Sequence, residues 1–124
     1  MSSDFLSTAM TSFPRIEDPE ARAAALVTTA GILYATADAS WAAQVLTDGV
    51  NAINRADRYD GGVYGVRLEV AKSKVWLPLP NSDLSHCFEE AAKRDWQGTL
   101  AAAQSIESKA LRSQAYIAAC RNVL

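Results

Sequence analysis

The sequence predicts a mainly α domain: about six helices in antiparallel pairs, α-solenoid-like, with one inserted β-hairpin. Three observations predict it. Apolar residues recur at i, i+3 and i+4 over most of the chain, the period of a half-buried helix. That period gives way once, between residues 63 and 80, to strict alternation, the period of a strand. Alanine supplies 23 of 124 residues and concentrates in the helical stretches, where a small side chain lets helices approach closely. At this length the chain is expected to be one domain, 1–124, made of a helix-pair unit 4–57, a β-hairpin 63–80 and a helical unit 83–124.

Asp4 to Phe13 opens the chain as a short helix, with Phe5, Leu6, Ala9, Met10 and Phe13 on one face. Asp18 then offers an N-cap, with Pro19 at the first helical position and Glu20 in the first turn. The helix from Pro19 to about Ala37 is apolar nearly all round, the mark of a central, buried helix. Asp38-Ala39-Ser40 reads as a tight connection, with Ser40 capping an amphipathic helix from Trp41 to Asp57. Its stripe is Trp41, Ala42, Val45, Leu46, Gly49, Ala52, Ile53 and Ala56, with Gln44, Thr47, Asp48, Asn51, Asn54 and Arg55 facing away. Gly49 inside the stripe suits a close helix crossing.

Arg58 to Gly62 is a turn cluster, after which Val66, Leu68 and Val70 alternate with polar residues, as do Val75, Leu77 and Leu79. Pairing Val70 with Val75 puts Leu68 opposite Leu77 and Val66 opposite Leu79, so all six share one face, and Ala71 to Lys74 form the loop. A two-stranded ribbon is marginal by itself, so this face is expected to lie on the helices. The other face carries Arg67, Glu69, Trp76, Pro78 and Pro80, and the prolines mark an edge strand. Three helices follow: about Leu84 to Arg94, with Glu89–Lys93 and Glu90–Arg94 as i,i+4 pairs; Trp96 to about Ile106, capped by Asp95; and Lys109 onward, capped by Ser108.

The two ends of the chain are alike. Ile16-Glu17-Asp18-Pro19-Glu20-Ala21-Arg22 aligns with Ile106-Glu107-Ser108-Lys109-Ala110-Leu111-Arg112, and apolar residues still coincide at Leu26/Tyr116, Val27/Ile117, Ala30/Cys120 and Leu33/Val123. Each copy sets a short helix before a long apolar one. The unit resembles the helix-pair repeats of uncharacterised bacterial helical-repeat proteins, in the broad tetratricopeptide/HEAT-like α-solenoid class, over roughly residues 4–56 and 95–124. The Trp-Leu-Gly-Tyr signature of true tetratricopeptide repeats is missing, and a hairpin is foreign to a plain solenoid. The resemblance implies a binding or scaffolding role and carries over no functional residue.

Charge and motif spacing exclude several chemistries. Twelve basic and 14 acidic side chains give a net charge of −2, with no basic excess for a nucleic-acid backbone. The Ala23–Ala37 stretch is shorter than the roughly 20 apolar residues that span a bilayer. Met1 to Thr11 lacks the pattern of a secretory signal, so the expected location is cytoplasmic, with Cys87 and Cys120 as reduced thiols. His86 is the only histidine and too few ligands surround it for zinc; it reads as a solvated helix histidine. Asp57 and Asp60 beside Gly61-Gly62 lack the alternate acidic spacing of a calcium loop. Arg22 and Arg112, at equivalent repeat positions, read as packing residues rather than anion ligands. Trp41 and Trp96 each open a helix on its stripe and are expected in the core.

No cofactor or metal set emerges. The function expected is a non-enzymatic protein–protein interaction or scaffold module, binding a protein partner or a second copy as a homodimer, with no nucleic acid and no membrane. Its contact residues would be Trp76, Arg67, Glu69 and Pro78 on the hairpin's outer face, beside the polar face of the Trp41–Asp57 helix. The competing expectation is a small ligand-binding or enzymatic domain with a pocket between the hairpin and the helices.

Overall fold

The computed structural model describes residues 18–36, 39–63, 65–78 and 81–121. The Asp4–Phe13 helix expected from the sequence lies outside them, as do Asp38 and Leu79. The chain is mainly α, with helices α1 (Pro19–Ala35) and α2 (Ala39–Arg55), strands β1 (Gly65–Val70) and β2 (Ser73–Pro78), and helices α3 (Leu84–Arg94), α4 (Trp96–Gln104) and α5 (Lys109–Cys120).

Local chemistry sets most helix starts. The Asp18 carboxylate accepts from the Glu20 N–H at 3.1 Å, with Pro19 just inside the helix. Asp83 accepts from the His86 N–H at 3.1 Å, Asp95 from Gly98 at 3.0 Å, and the Ser108 hydroxyl from Leu111 at 3.3 Å. Ser40 is not the cap expected of it: α2 begins at Ala39, two residues before the expected Trp41, so Ser40 lies inside the first turn.

Helices α1 and α3 are the centre of the packing. α1 lies between α2 and α3, α3 between α1 and α5, and α4 closes the far side against α2, α3 and α5. Accordingly, α1 buries Ala23, Ala24, Leu26, Val27, Ala30, Leu33 and Tyr34, leaving no wide polar face. Its Thr28 and Thr29 hydroxyls bond back to the Ala24 and Ala25 carbonyls at 2.7 and 2.8 Å, which satisfies them without a partner helix. Leu84, Cys87, Phe88 and Ala91 of α3 are fully buried. Gly49 sits where α2 crosses α1: a Cβ there would lie 3.5 Å from the Leu26 Cβ.

Three expectations need correction. Trp96 is 36% exposed rather than in the core, because it stands at the first position of α4, past the rim of the packed layer. Trp41 is half-buried against the core, closer to expectation. The ion pairs expected at i,i+4 are replaced: Lys93 reaches Glu90 at 3.1 Å, and Glu89 meets Arg121, just past the end of α5, at 3.3 Å.

The third correction concerns the strands. They run antiparallel, but the register is Val66↔Leu77, Leu68↔Val75 and Val70↔Ser73, two residues tighter than expected. The turn is Ala71-Lys72, with φ of 49° and 69°. Positive φ at both central residues is the type I′ geometry that matches strand twist. It is disfavoured for Ala and Lys, which is why a longer loop looked natural from the sequence. A shift of two leaves every residue on its face. The apolar positions 66, 68, 70, 75 and 77 still share one side, although Val75 is 40% exposed. Among the described residues no helix packs broadly on this ribbon; the strands pack on each other. The expected docking of its apolar face on the helices is therefore not what the described residues show.

The aligned ends of the chain share caps but not surroundings. Val27 is fully buried, whereas Ile117, its aligned residue, is 59% exposed, and half-buried Tyr116 stands for buried Leu26. α1 is gripped from two sides by α2 and α3, whereas α5 lies against α3 and α4.

Candidate functional site

The four contact residues named from the sequence come together through the ladder. Arg67 stands opposite Trp76, Glu69 opposite Lys74, and Gly65 opposite Pro78, so all four belong to one face of the ribbon. Glu69 and Lys74 form an opposite-charge pair of positions, the arrangement that favours cross-strand pairing. The polar face of α2 is largely solvent-facing at Gln44, Thr47, Asn51 and Arg55. Asn54 departs from that face's expected role.

Asn54 is a clamp. Its amide nitrogen donates to the Ser105 carbonyl at 3.0 Å and its amide oxygen accepts from the Glu107 N–H at 2.9 Å. One side chain at the end of α2 thus satisfies both an acceptor and a donor of the turn between α4 and α5. The Arg112 guanidinium donates to the Ile106 carbonyl of the same turn at 3.4 Å, the packing role expected of it. Replacing Asn54 with alanine removes two hydrogen bonds and should cost about 1–3 kcal/mol in urea unfolding. Asn54→Asp should recover only part of this, since it keeps the acceptor and sets an oxygen against the Ser105 carbonyl.

The segment from Ala56 to Gly62 forms the mount of the ribbon, held by three helices. Glu20 of α1 accepts from the Arg58 N–H at 3.1 Å. Gln114 of α5 donates to the Asp60 carbonyl at 3.2 Å. The Leu84 N–H at the start of α3 donates to the Gly61 carbonyl at 2.9 Å. Gly61 has φ +78°, the left-handed region that glycine enters freely. None of these long-range partners carries a sequence signal, because each depends on which helices become neighbours.

Tyr59 enters the core from this segment. Its hydroxyl is buried and has no hydrogen-bond partner among the described residues. Burial, with the nearby Cys87, Asp60 and Asp83 charges adding to it, pushes the phenol well above its ordinary value. Burial chiefly, with Asp83 adding, pushes the Cys87 thiol from 9.0 up to about 12. Burial chiefly, with Asp95 and Cys87 adding, takes Tyr34 to about 12. A raised pKa in the folded chain means that the folded state holds its proton more tightly than the unfolded state does. This contribution is fully present below about pH 9 for the thiol, and it is lost as pH rises toward 12. The urea midpoint should therefore fall steadily above about pH 9, and Cys87→Ala should flatten the first part of that fall. An equal fall in the variant would remove Cys87 as its source.

The hollows lined by described residues include the following two. One of about 300 Å³ is lined by Ile53, Asn54, Asp57, Tyr59, Glu107 and Leu111, with others. The second, about 220 Å³, lies between α1 and the start of α3 and is lined by Thr28, Gly31, Ile32, Thr36, Asn81 and His86. His86 is half-buried there against Gly31, rather than freely solvated. The ribbon lines neither hollow. Among the described residues no three His, Cys, Asp or Glu side chains gather in a way that could hold a metal ion, and no helix is long and apolar enough to cross a membrane. Cys87 and Cys120 are unpaired thiols. Compared with known protein families, curated proteins and solved structures, the chain matches none.

Proposed function

We propose that this chain is a non-enzymatic helical interaction module that presents the β1–β2 ribbon to a protein partner. The observation that carries this reading is the ribbon's setting. It has one apolar face, packs broadly on no helix among the described residues, and rises from a segment tied to three helices. A two-stranded ribbon in water gains little from its own apolar face, so burial of that face against a protein partner would stabilise it. Arg67, Glu69, Trp76 and Pro78 on the opposite face supply the aromatic and charged contacts from which protein interfaces draw specificity. The antiparallel pairing of α1 with α2 suits a helix-pair repeat of the α-solenoid kind, with the ribbon as an insert between two helical units, and a cytoplasmic setting suits the buried, unpaired thiol of Cys87.

A photo-crosslinking residue at position 76 tests the reading in cells of the source. It should form one discrete protein adduct that a probe at exposed Ala101 of α4 does not form. With the probe moved to position 67, Trp76→Ala should lower adduct yield at least tenfold. Equal labelling from positions 76 and 101 would overturn the ribbon as the contact.

A further inference from the structure

We infer that the occupant of the ribbon is a second copy of this chain, joined antiparallel through β1 about Leu68. The inference rests on the ribbon being a contact surface and names what it contacts. A two-residue turn closes on a hydrogen-bonded pair, here Val70↔Ser73. Pairs then alternate along the ladder, so Val66 and Leu68 bond inward to β2, while the backbone groups of Arg67 and Glu69 face the free side of β1. Among the described residues that side has no strand beside it, since the sheet holds only β1 and β2. The outer side of β2 is the poorer edge, because Pro78 has no N–H to offer.

Charge selects the register. Two β1 strands related by a two-fold axis must set outward-facing residues against outward-facing residues. Centred on Arg67, the pairing opposes arginine with arginine; centred on Glu69, it opposes glutamate with glutamate. Centred on Leu68, it sets Arg67 of each copy opposite Glu69 of the other, with Val66 opposite Val70 and Leu68 opposite Leu68. That register alone is complementary in both charge and hydropathy. The product is a four-stranded sheet, β2-β1-β1-β2, whose apolar positions 66, 68, 70, 75 and 77 continue across the axis. Four strands with an apolar face pass the size at which a sheet holds together, where two do not. A two-fold pairing is also closed, so it uses up the exposed edge of β1 instead of propagating it.

Sedimentation equilibrium of the full chain from micromolar to millimolar concentration tests this. The wild type should show twice the 13.3 kDa chain mass. Arg67→Glu and Glu69→Arg should each be monomeric, because each sets two like-charge pairs across the axis. Mixed in equal amounts, the two variants should recover the dimer mass, since one chain then carries two acids at these positions and the other two bases. Helical circular dichroism should be unchanged in both, because among the described residues no helix packs broadly on the ribbon. In a Cys120→Ser background, Leu68→Cys should form a disulfide-linked dimer on mild oxidation and Val66→Cys should not, because only position 68 meets itself across a non-hydrogen-bonded pair. A wild type that is monomeric at every concentration overturns the inference, as does a dimer that survives both single charge reversals. A monomer that still crosslinks another protein from position 76 overturns the second copy while leaving the interaction reading standing.

Discussion

Phe88→Ala should lower the unfolding free energy by about 3–5 kcal/mol, a large part of the total for a domain of this size. Phe88 is fully buried on α3, the helix that α1, α4 and α5 all pack against. Three neighbours that also pack on other partners cannot all move inward to fill the space, so little of the cavity collapses. Urea unfolding followed by circular dichroism measures the effect. Phe88→Leu, which keeps most of the volume, should cost well under half as much. A loss below about 1 kcal/mol for the alanine variant would show that α3 is not the centre of the core.

Gly61→Ala should be strongly damaging although it lies in a turn, because Gly61 is buried. The residue sits at φ +78°, which costs a non-glycine residue about 1–2 kcal/mol before any contact is counted. The added Cβ would also stand 2.5 Å from the Gln114 amide oxygen and 3.1 Å from Leu111, so Gln114 must release the Asp60 carbonyl. Together these predict a loss of about 2–4 kcal/mol by urea unfolding. Gly49→Ala is the matched control: its new Cβ meets Leu26 at an ordinary 3.5 Å, and alanine favours the helix by about 1 kcal/mol. The two glycines look alike in sequence and should respond with opposite signs.

What could be read from the sequence was the part written in local chemistry. Asp18, Asp95 and Ser108 cap helices because a short polar side chain just before an apolar period acts on N–H groups two or three residues away. The all-round apolarity of residues 23–34 placed α1 at the centre correctly for the same reason: it needs no knowledge of neighbours. Contacts across the chain were out of reach. Glu89 looked set to meet Lys93 but meets Arg121, and Asn54 looked solvent-facing but clamps the turn at Ser105 and Glu107. Trp96 shares the phase of a buried stripe yet stands beyond the layer's rim, since periodicity gives direction and not depth. At the ribbon, the alternation gave the faces correctly, whereas the register depended on a turn whose residues do not advertise positive φ. That positions 67, 69, 76 and 78 share one face was legible for the same reason. The mount beneath them was not, because Glu20, Leu84 and Gln114 belong to three different helices.

The 2.9 Å bond from the Leu84 N–H to the Gly61 carbonyl has a consequence for how this fold can vary. It pins together the two points where the chain leaves the helical body and where it returns. Strands β1 and β2 both lie between these two points, whereas buried Ser82 and the cap Asp83 belong to the helical body beside Leu84. Lengthening a loop whose ends already touch costs only about 0.6 kcal/mol per doubling. The position is therefore an exchangeable cassette: a short glycine-containing link or a longer foreign segment can take the place of the strands without reshaping the core. Changes in this arm can then accumulate while Phe88, Tyr34 and Leu33 stay as they are.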